Sequence, residues 1–91
     1  MKITAEFHGI LAEWVGSASA SFDLPAGATY SDLMAEIGRR HGRNMPEQLW
    51  DAENNMFKKV RASGKGRILA SADTPLLEGE KIQFLLMIAG G

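Results

Sequence analysis

Apolar and polar side chains alternate at the start of the chain, as in a β-strand with one face on a core. Ile3, Ala5 and Phe7 alternate with polar residues in KITAEFH, a period of two. The segment SASASFDL repeats this pattern weakly, and the intervening GILAEWVG is short enough to join two antiparallel neighbours. The pattern therefore predicts an opening β-hairpin.

A helical period follows the break at Pro25 and Gly27. Thr29, with Asp32 three residues later, has the spacing of an N-cap with a capping box. Apolar or aromatic side chains then recur at intervals of three and four residues and share one helical face. They are Tyr30, Leu33, Met34, Ile37 and His41. The sequence predicts one amphipathic helix that ends near Gly42.

Residues 43–57 carry the weakest pattern. MPEQLWDAENN predicts one or two helical turns, with Pro46 in the first turn and a chain reversal at Asn54-Asn55. Because an indole has a large apolar area, we expect Trp50 to cover the core rather than bind a ligand. KKVRASGKGRILAS then predicts two short strands joined around Gly64-Lys65-Gly66. The GKG triplet lacks the remaining residues of a phosphate-binding loop.

The last predicted strand runs from Lys81 to Ile88, after turns at Asp73-Thr74-Pro75 and Glu78-Gly79-Glu80. Alternation assigns one set of its side chains to the core, namely Ile82, Phe84 and Leu86. The outward set is Gln83, Leu85 and Met87. Two outward side chains are apolar, which indicates either a partner-binding surface or a central strand covered on both faces.

The order of these elements predicts an α+β fold in one domain, a mixed sheet of about five strands packed on one main helix. If the first and last strands pair in the middle of the sheet, they run in parallel, as in the ubiquitin-like β-grasp. We expect residues 1–88 to form this domain and residues 89–91 to form a flexible reactive tail.

Composition excludes several classes of function. A formal net charge of -1 indicates no nucleic-acid partner. Two basic clusters are interpreted as solvated faces: Arg39, Arg40 and Arg43, and Lys58, Lys59 and Arg61. The sequence has no membrane-spanning apolar run and no pattern of a signal peptide, so we expect a cytoplasmic protein without a membrane partner. It contains no cysteine, which removes thiolate chemistry.

The two histidines lack the pattern of a catalytic or metal site. His8 is predicted on the outward face of the first strand, and the helix dipole accounts for His41 at the helix end. No metal-ligand spacing or nucleophile-base arrangement accompanies them. We therefore expect no metal, no bound cofactor and no autonomous enzyme.

The sequence closes with Ala89, Gly90 and Gly91 directly after its most apolar segment, FLLMI. Such a tail is narrow enough for a tight channel and reaches about 10 Å. Its α-carboxylate is ionised at neutral pH and is a poor electrophile. Chemistry at this tip would require activation by a partner, most simply as an acyl adenylate formed with ATP.

The sequence resembles the sulfur-carrier β-grasp proteins of the MoaD and ThiS family over nearly its whole length. The segments that carry the resemblance are FHGILAEWVG, DLPAGATYSDLMAEI and DTPLLEGEKIQFLLMIAGG. The terminal AGG after EGEKIQFLLMI is the most specific of them. The small subunit of molybdopterin synthase is the nearer likeness within this family.

This resemblance implies a mechanism. An E1-like adenylyltransferase would activate the carboxylate of Gly91 with ATP, and a sulfur donor of the cysteine desulfurase or rhodanese type would convert it to a thiocarboxylate. Ala89, Gly90 and Gly91 would then enter the active site of a sulfur acceptor, such as the large subunit of molybdopterin synthase. The resemblance also implies that Leu85 is an apolar contact with partners, and we expect His8 and Met87 to belong to the same interface.

Two departures from the family pattern leave the acceptor open. Leu86-Met87 stands where molybdopterin-type members often have prolines, and His8 stands where an outward aromatic residue is expected. The alternatives are a carrier for thiamine or another thio-metabolite and a ubiquitin-like modifier conjugated through Gly91. A third alternative is a non-covalent adaptor that uses the apolar side of the last strand.

Overall fold

The computed structural model describes residues 1–87. Its strands are β1 (Lys2–Phe7), β2 (Ser19–Asp23), β3 (Trp50–Asp51), β4 (Met56–Phe57), β5 (Val60–Gly64), β6 (Arg67–Leu69) and β7 (Lys81–Leu86). Its helices are α1 (Ile10–Val15) and α2 (Tyr30–His41), followed by a 3-10 turn at Gly42–Asn44. The predicted last strand extends to Ile88, which lies outside the described residues together with the predicted tail, 89–91.

Five strands form one mixed sheet in the order β2-β1-β7-β5-β6. The central strand β7 is parallel to its neighbour β1, and Phe7 lies opposite Phe84 in their register. All other neighbours in this sheet are antiparallel. The α+β prediction of a mixed sheet with one main helix is confirmed, as is the parallel pairing of the first and last strands.

The aromatic core lies between this sheet and α2. Phe7 and Phe84 stack with ring centroids 5.4 Å apart, and Phe57 packs against Phe84 at 5.3 Å. Helix α2 contributes buried Tyr30, Leu33, Met34 and Ile37 to the same cluster. The core therefore holds the inner face of β7, the strand that precedes the predicted tail.

The connection between β1 and β2 is more structured than the sequence pattern predicts. The two strands pair as expected, but α1 forms within GILAEWVG. Leu11 and Val15, four residues apart, are completely buried on one side of this helix. Tertiary burial thus stabilises a helix of six residues, a length that is not stable in isolation.

Helix α2 begins with the predicted capping box. The backbone N–H of Thr29 donates to the Asp32 carboxylate at 2.8 Å, and the N–H of Asp32 donates to the Thr29 hydroxyl at 3.4 Å. At the other end of α2, the helix dipole alone does not describe the surroundings of His41, which also packs against the core. Burial, and after it the charge of Arg40, lowers the pKa of His41, and its ring packs edge-on against Phe7 at 6.3 Å.

Residues 43–57 contain the predicted helical turn, since the N–H groups of Leu49 and Trp50 donate to the carbonyl oxygen of Pro46 at 2.9 and 3.1 Å, and also two strands that the sequence pattern does not predict. After the short 3-10 turn, β3 and β4 form a two-stranded hairpin that reverses at residues 52–55. Asn55 adopts a left-handed conformation with φ of 50°, so the predicted chain reversal at Asn54-Asn55 is present. Strands of two residues leave too little periodicity for sequence analysis to detect.

Trp50 covers the core, as predicted, and is buried. It packs against Phe57 with ring centroids 5.0 Å apart. Its indole also lies on Gly38 of α2, where a Cβ atom would come within 2.8 Å of Trp50 Cζ2. The absence of a side chain at Gly38 therefore allows the β3–β4 hairpin to pack against the helix.

An ion pair between the partly exposed Arg67 and the buried Glu80 anchors the beginning of β7. The Arg67 guanidinium donates to both oxygens of Glu80, at 3.0 and 2.7 Å, and the N–H groups of Leu77 and Lys65 donate to the same carboxylate. A Cβ atom on Gly64 would collide with this carboxylate. Glu80 thus ties the turn before β7 to the β5–β6 hairpin.

Candidate partner-docking site at the end of β7

The side of β7 that faces away from the core is open. Leu85 is 50% exposed and Met87 is 39% exposed, whereas Ile82 and Phe84 are completely buried. Leu86, predicted on the core face, is partly buried against the core. Of the two interpretations of the apolar outward residues, the exposed surface is confirmed and the doubly covered strand is wrong.

Leu85 lies at the centre of a small surface, which we call the open-face patch. Arg61 of β5 is its register partner on one side. On the other side His8, which is exposed as predicted, donates its backbone N–H to the carbonyl oxygen of Phe84 at 3.2 Å. The patch consists of His8, Arg61, Ile68, Leu85 and Met87.

Sequence analysis missed two members of this patch. Ile68 of β6 is 57% exposed and is the register partner of Ser63, on the side of the sheet that carries Leu85. Side chains alternate between the two faces along a strand, so Ile68 points outward because its neighbour Leu69 points into the core. The sequence pattern places Arg61 only in a solvated basic cluster. Its position beside Leu85 depends on the pairing of β5 with β7, which local sequence does not show.

The path of the chain beyond β7 is anchored at Lys59. The backbone N–H of Met87 donates to the carbonyl oxygen of Lys59 at 2.7 Å, which continues the β5–β7 ladder past the last strand residue. Lys59 presents this carbonyl from a left-handed conformation with φ of 58°. The described chain therefore ends at a fixed point beside the open-face patch.

A groove of about 290 Å³ lies on the other side of this point. We call it the exit groove. Its lining consists of Trp14, Gln48, Leu49, Lys58, Lys59, Leu86 and Met87. Helix α1 supplies Trp14 because it packs near the carboxyl end of β7.

No three or more His, Asp or Glu side chains in residues 1–87 are grouped to hold a metal ion. Neither helix of the described chain is long and apolar enough to cross a membrane. The residues predicted to react or to enter a partner, Ala89, Gly90 and Gly91, lie outside the described part.

Comparison of the whole chain with known proteins identifies its fold. The sequence matches no protein-family model and no curated protein. The structure of SAMP1 from Haloferax volcanii superposes with a TM-score of 0.80 at 16% identity, covering 100% of both chains. A protein assigned as molybdopterin converting factor, subunit 1, from Pyrococcus furiosus superposes with a TM-score of 0.73 at 23% identity, covering 97% of this chain and 99% of the other.

The fold is a ubiquitin-like β-grasp. Small archaeal modifier protein 1 from Methanosarcina acetivorans also has it, with a TM-score of 0.71 at 13% identity over 99% of this chain and 96% of the other. At these identities the likeness concerns the β-grasp itself. The β-grasp places β7 between β1 and β5, so the open-face patch surrounds the end of a central strand.

Proposed function

We propose that this protein is a sulfur carrier that donates sulfur from a thiocarboxylate at Gly91 in molybdopterin biosynthesis. The observation that carries the proposal is the end of β7. This central strand leaves the sheet at Met87, beside exposed apolar side chains, four residues before Gly91 in the printed sequence. A partner that docks on the open-face patch would have the Gly-Gly segment within its reach.

The proposed chemistry takes place in partner enzymes. The Gly91 carboxylate attacks the α-phosphorus of ATP in an E1-like adenylyltransferase, which gives an acyl adenylate and releases pyrophosphate. A persulfide on a cysteine desulfurase or rhodanese-type donor displaces AMP, and a thiol reduces the resulting acyl disulfide to the thiocarboxylate. Because activation consumes ATP, we assign these steps to the cytoplasm.

The open-face patch would dock these partners in turn. Leu85 and Met87 provide apolar area, and His8 borders it. Apolar side chains at the centre of an interface, with polar groups around them, are typical of protein docking surfaces. The proposed acceptor is the large subunit of molybdopterin synthase; an acceptor for thiamine or another thio-metabolite would use the same surface.

The second candidate is a ubiquitin-like modifier joined to lysines of other proteins through Gly91. It is favoured by the superposition with two structures named as small archaeal modifier proteins, from Haloferax volcanii and Methanosarcina acetivorans. Activation by adenylation is common to both candidates. They differ in what attacks the acyl adenylate, a persulfide sulfur or a lysine amine.

Intact mass spectrometry of the protein isolated from its own cell separates the candidates. A species heavier by the exchange of one oxygen for one sulfur supports the carrier. Conjugates in which Gly91 is joined to lysines of other proteins support the modifier. Both candidate functions are contradicted if the protein is found only in unmodified form and a variant that lacks Gly90-Gly91 still complements loss of the gene.

A further inference from the structure

The exit groove has an apolar floor that the open-face patch does not share. Trp14 is 36% exposed in it, and Leu49 and Leu86 complete the floor. Ile10, one turn earlier on α1, is also exposed. Side chains of this size left in water beside a concave surface indicate that another apolar group covers them.

The rim of the groove is positively charged. Lys58 and Lys59 line it, and none of the lining residues is acidic. The Lys58 ammonium donates to the carbonyl oxygen of Glu47 at 2.9 Å. The ion pairs within residues 1–87 involve other residues, so the described chain supplies Lys59 with no carboxylate partner within 4 Å.

Acidic side chains do lie nearby. Glu13 precedes Trp14 on α1. Hydrogen bonds from Asn54 are the main cause that lowers the pKa of Asp51, and the charge of Lys58 contributes less. Asp51 accepts hydrogen bonds from Asn54 and Glu53 and is therefore already engaged. Lys59 lines the same groove as the exposed indole of Trp14, and its positive charge is the one that a partner would contact.

We propose that the exit groove binds an acidic segment of the activating enzyme, with an apolar side chain against Trp14 and a carboxylate beside Lys59. This inference rests on the proposed function. Residues 88–91 reach at most about 14 Å from Met87. An enzyme that holds Gly91 in its active site must therefore approach the surface around Met87, where the groove opens.

The groove and the open-face patch make separable contributions. The groove uses α1 and residues 48–49, whereas Leu85, Arg61 and Ile68 belong to the sheet. Met87 lines the groove and also borders the patch. Lys59 likewise lies beside Arg61 and Ile68 of the patch, so the substitution at Trp14 is the one that reports on the groove alone.

The test is ATP–pyrophosphate exchange by the E1-like enzyme purified from the same cell, with the intact protein as its substrate. Trp14→Ala and Lys59→Glu are each expected to raise the KM for this protein by about tenfold with kcat unchanged, as for loss of a central interface contact. Added salt should raise the KM of the wild type more than that of Lys59→Glu. Lys65→Glu, in the β5–β6 turn, is the matched charge control and should keep the wild-type KM.

The outcomes distinguish the two proposals. If the wild type is not adenylated, the proposed function and this inference both fail. If the wild type is adenylated and both groove variants keep its KM, only the groove inference is overturned. Circular dichroism checks that each variant is folded, and Lys59→Glu provides a test that leaves the Trp14 packing intact.

Other occupants of the groove are also tested. A dimer that dissociates on Trp14→Ala in sedimentation experiments would assign the groove to a second copy of this chain. A change in the NMR signal of the Trp14 indole N–H on deletion of residues 88–91 would assign it to the chain's own last residues. Either result would overturn the proposal of an acidic partner segment.

Discussion

The backbone N–H of Met87 lies 2.7 Å from the carbonyl oxygen of Lys59, one residue beyond the end of β7. This hydrogen bond joins the last described residue to the connection between β4 and β5. It lies between the open-face patch and the exit groove, so both surfaces are positioned relative to the same anchored point.

Met87→Pro removes the N–H that donates to Lys59. We expect the free energy of unfolding to fall by about 1 kcal/mol, the usual net value of one such hydrogen bond. Met87→Ala keeps the N–H and is the control for the lost side chain. Urea denaturation followed by circular dichroism measures both, and equal stabilities would show that this bond does not hold the end of the strand.

Leu85→Asp tests the open face of β7. Because Leu85 is half exposed, we expect the free energy of unfolding to change by no more than about 1 kcal/mol. Binding to the activating enzyme, measured by calorimetry, should weaken as the apolar contact is lost. In the buried control, Phe84→Ala, stability should fall by about 3–5 kcal/mol. Unchanged binding of Leu85→Asp would exclude the patch as a docking surface.

Gly64→Ala tests the close approach of β5 to Glu80. The added Cβ would collide with the Glu80 carboxylate, which is held by Arg67 and by backbone N–H groups. We expect a loss of about 1–3 kcal/mol in the free energy of unfolding, as for other overpacked sites. Ser63→Ala, at the preceding position, should have a much smaller effect in the same thermal and urea denaturation experiments.

The Glu80 ion pair predicts a specific dependence of stability on pH. Burial alone would raise the pKa of the Glu80 carboxyl, but hydrogen bonds from Arg67, Leu77 and Lys65 outweigh it and lower the pKa below its usual range. Because the pKa of Glu80 is lower in the folded than in the unfolded protein, the ionised carboxylate stabilises the fold at pH values above the unfolded-state pKa. That contribution is lost as the pH falls through the folded-state pKa.

Glu80→Gln removes this titration. Between about pH 7 and about pH 3, the wild type should lose more stability than the variant, because only the wild type must protonate Glu80. Urea midpoints across this range measure the difference. Other carboxyl groups with lowered pKa, such as those of Glu36 and Asp73, titrate in both proteins, so the variant keeps part of the dependence. Identical slopes in the two proteins would contradict the assignment.

Gly38→Ala tests the contact between α2 and the β3–β4 hairpin. Helix propensity alone favours alanine over glycine by about 1 kcal/mol. Here a Cβ atom would lie 2.8 Å from Trp50 Cζ2 and 2.6 Å from Asn55 Oδ1, so we expect a net loss of stability. Arg39→Ala, at the next and exposed helix position, is the control and should be nearly neutral. If the Gly38→Ala variant were more stable than the wild type, the β3–β4 hairpin would be able to shift away from the added Cβ atom at little cost in free energy.

Periodic patterns explain which parts of the fold were predictable. Alternation located β1 and β7, and the Thr29–Asp32 spacing located the start of α2, because in each case the signal lies within one element. The inward Phe84 and the outward Leu85 follow from the same alternation. Of the candidate site, sequence analysis thus found His8, Leu85 and Met87.

Elements that depend on distant partners were not predictable in this way. Helix α1 forms because Leu11 and Val15 are buried against the rest of the core, not because six residues are stable alone. Arg61 and Ile68 join Leu85 only because β5 and β6 pair beside β7. Trp14 reaches the exit groove through the packing of α1 near the end of β7.

The sequence by itself determined the α+β class, the capped helix and the two faces of the last strand. Tertiary structure decided the order of the strands, the neighbours of Leu85 and the presence of the exit groove. The physical reason is the range of the interactions involved. Local periodicity and capping act over a few residues, whereas a docking surface is assembled from strands and helices far apart in the chain.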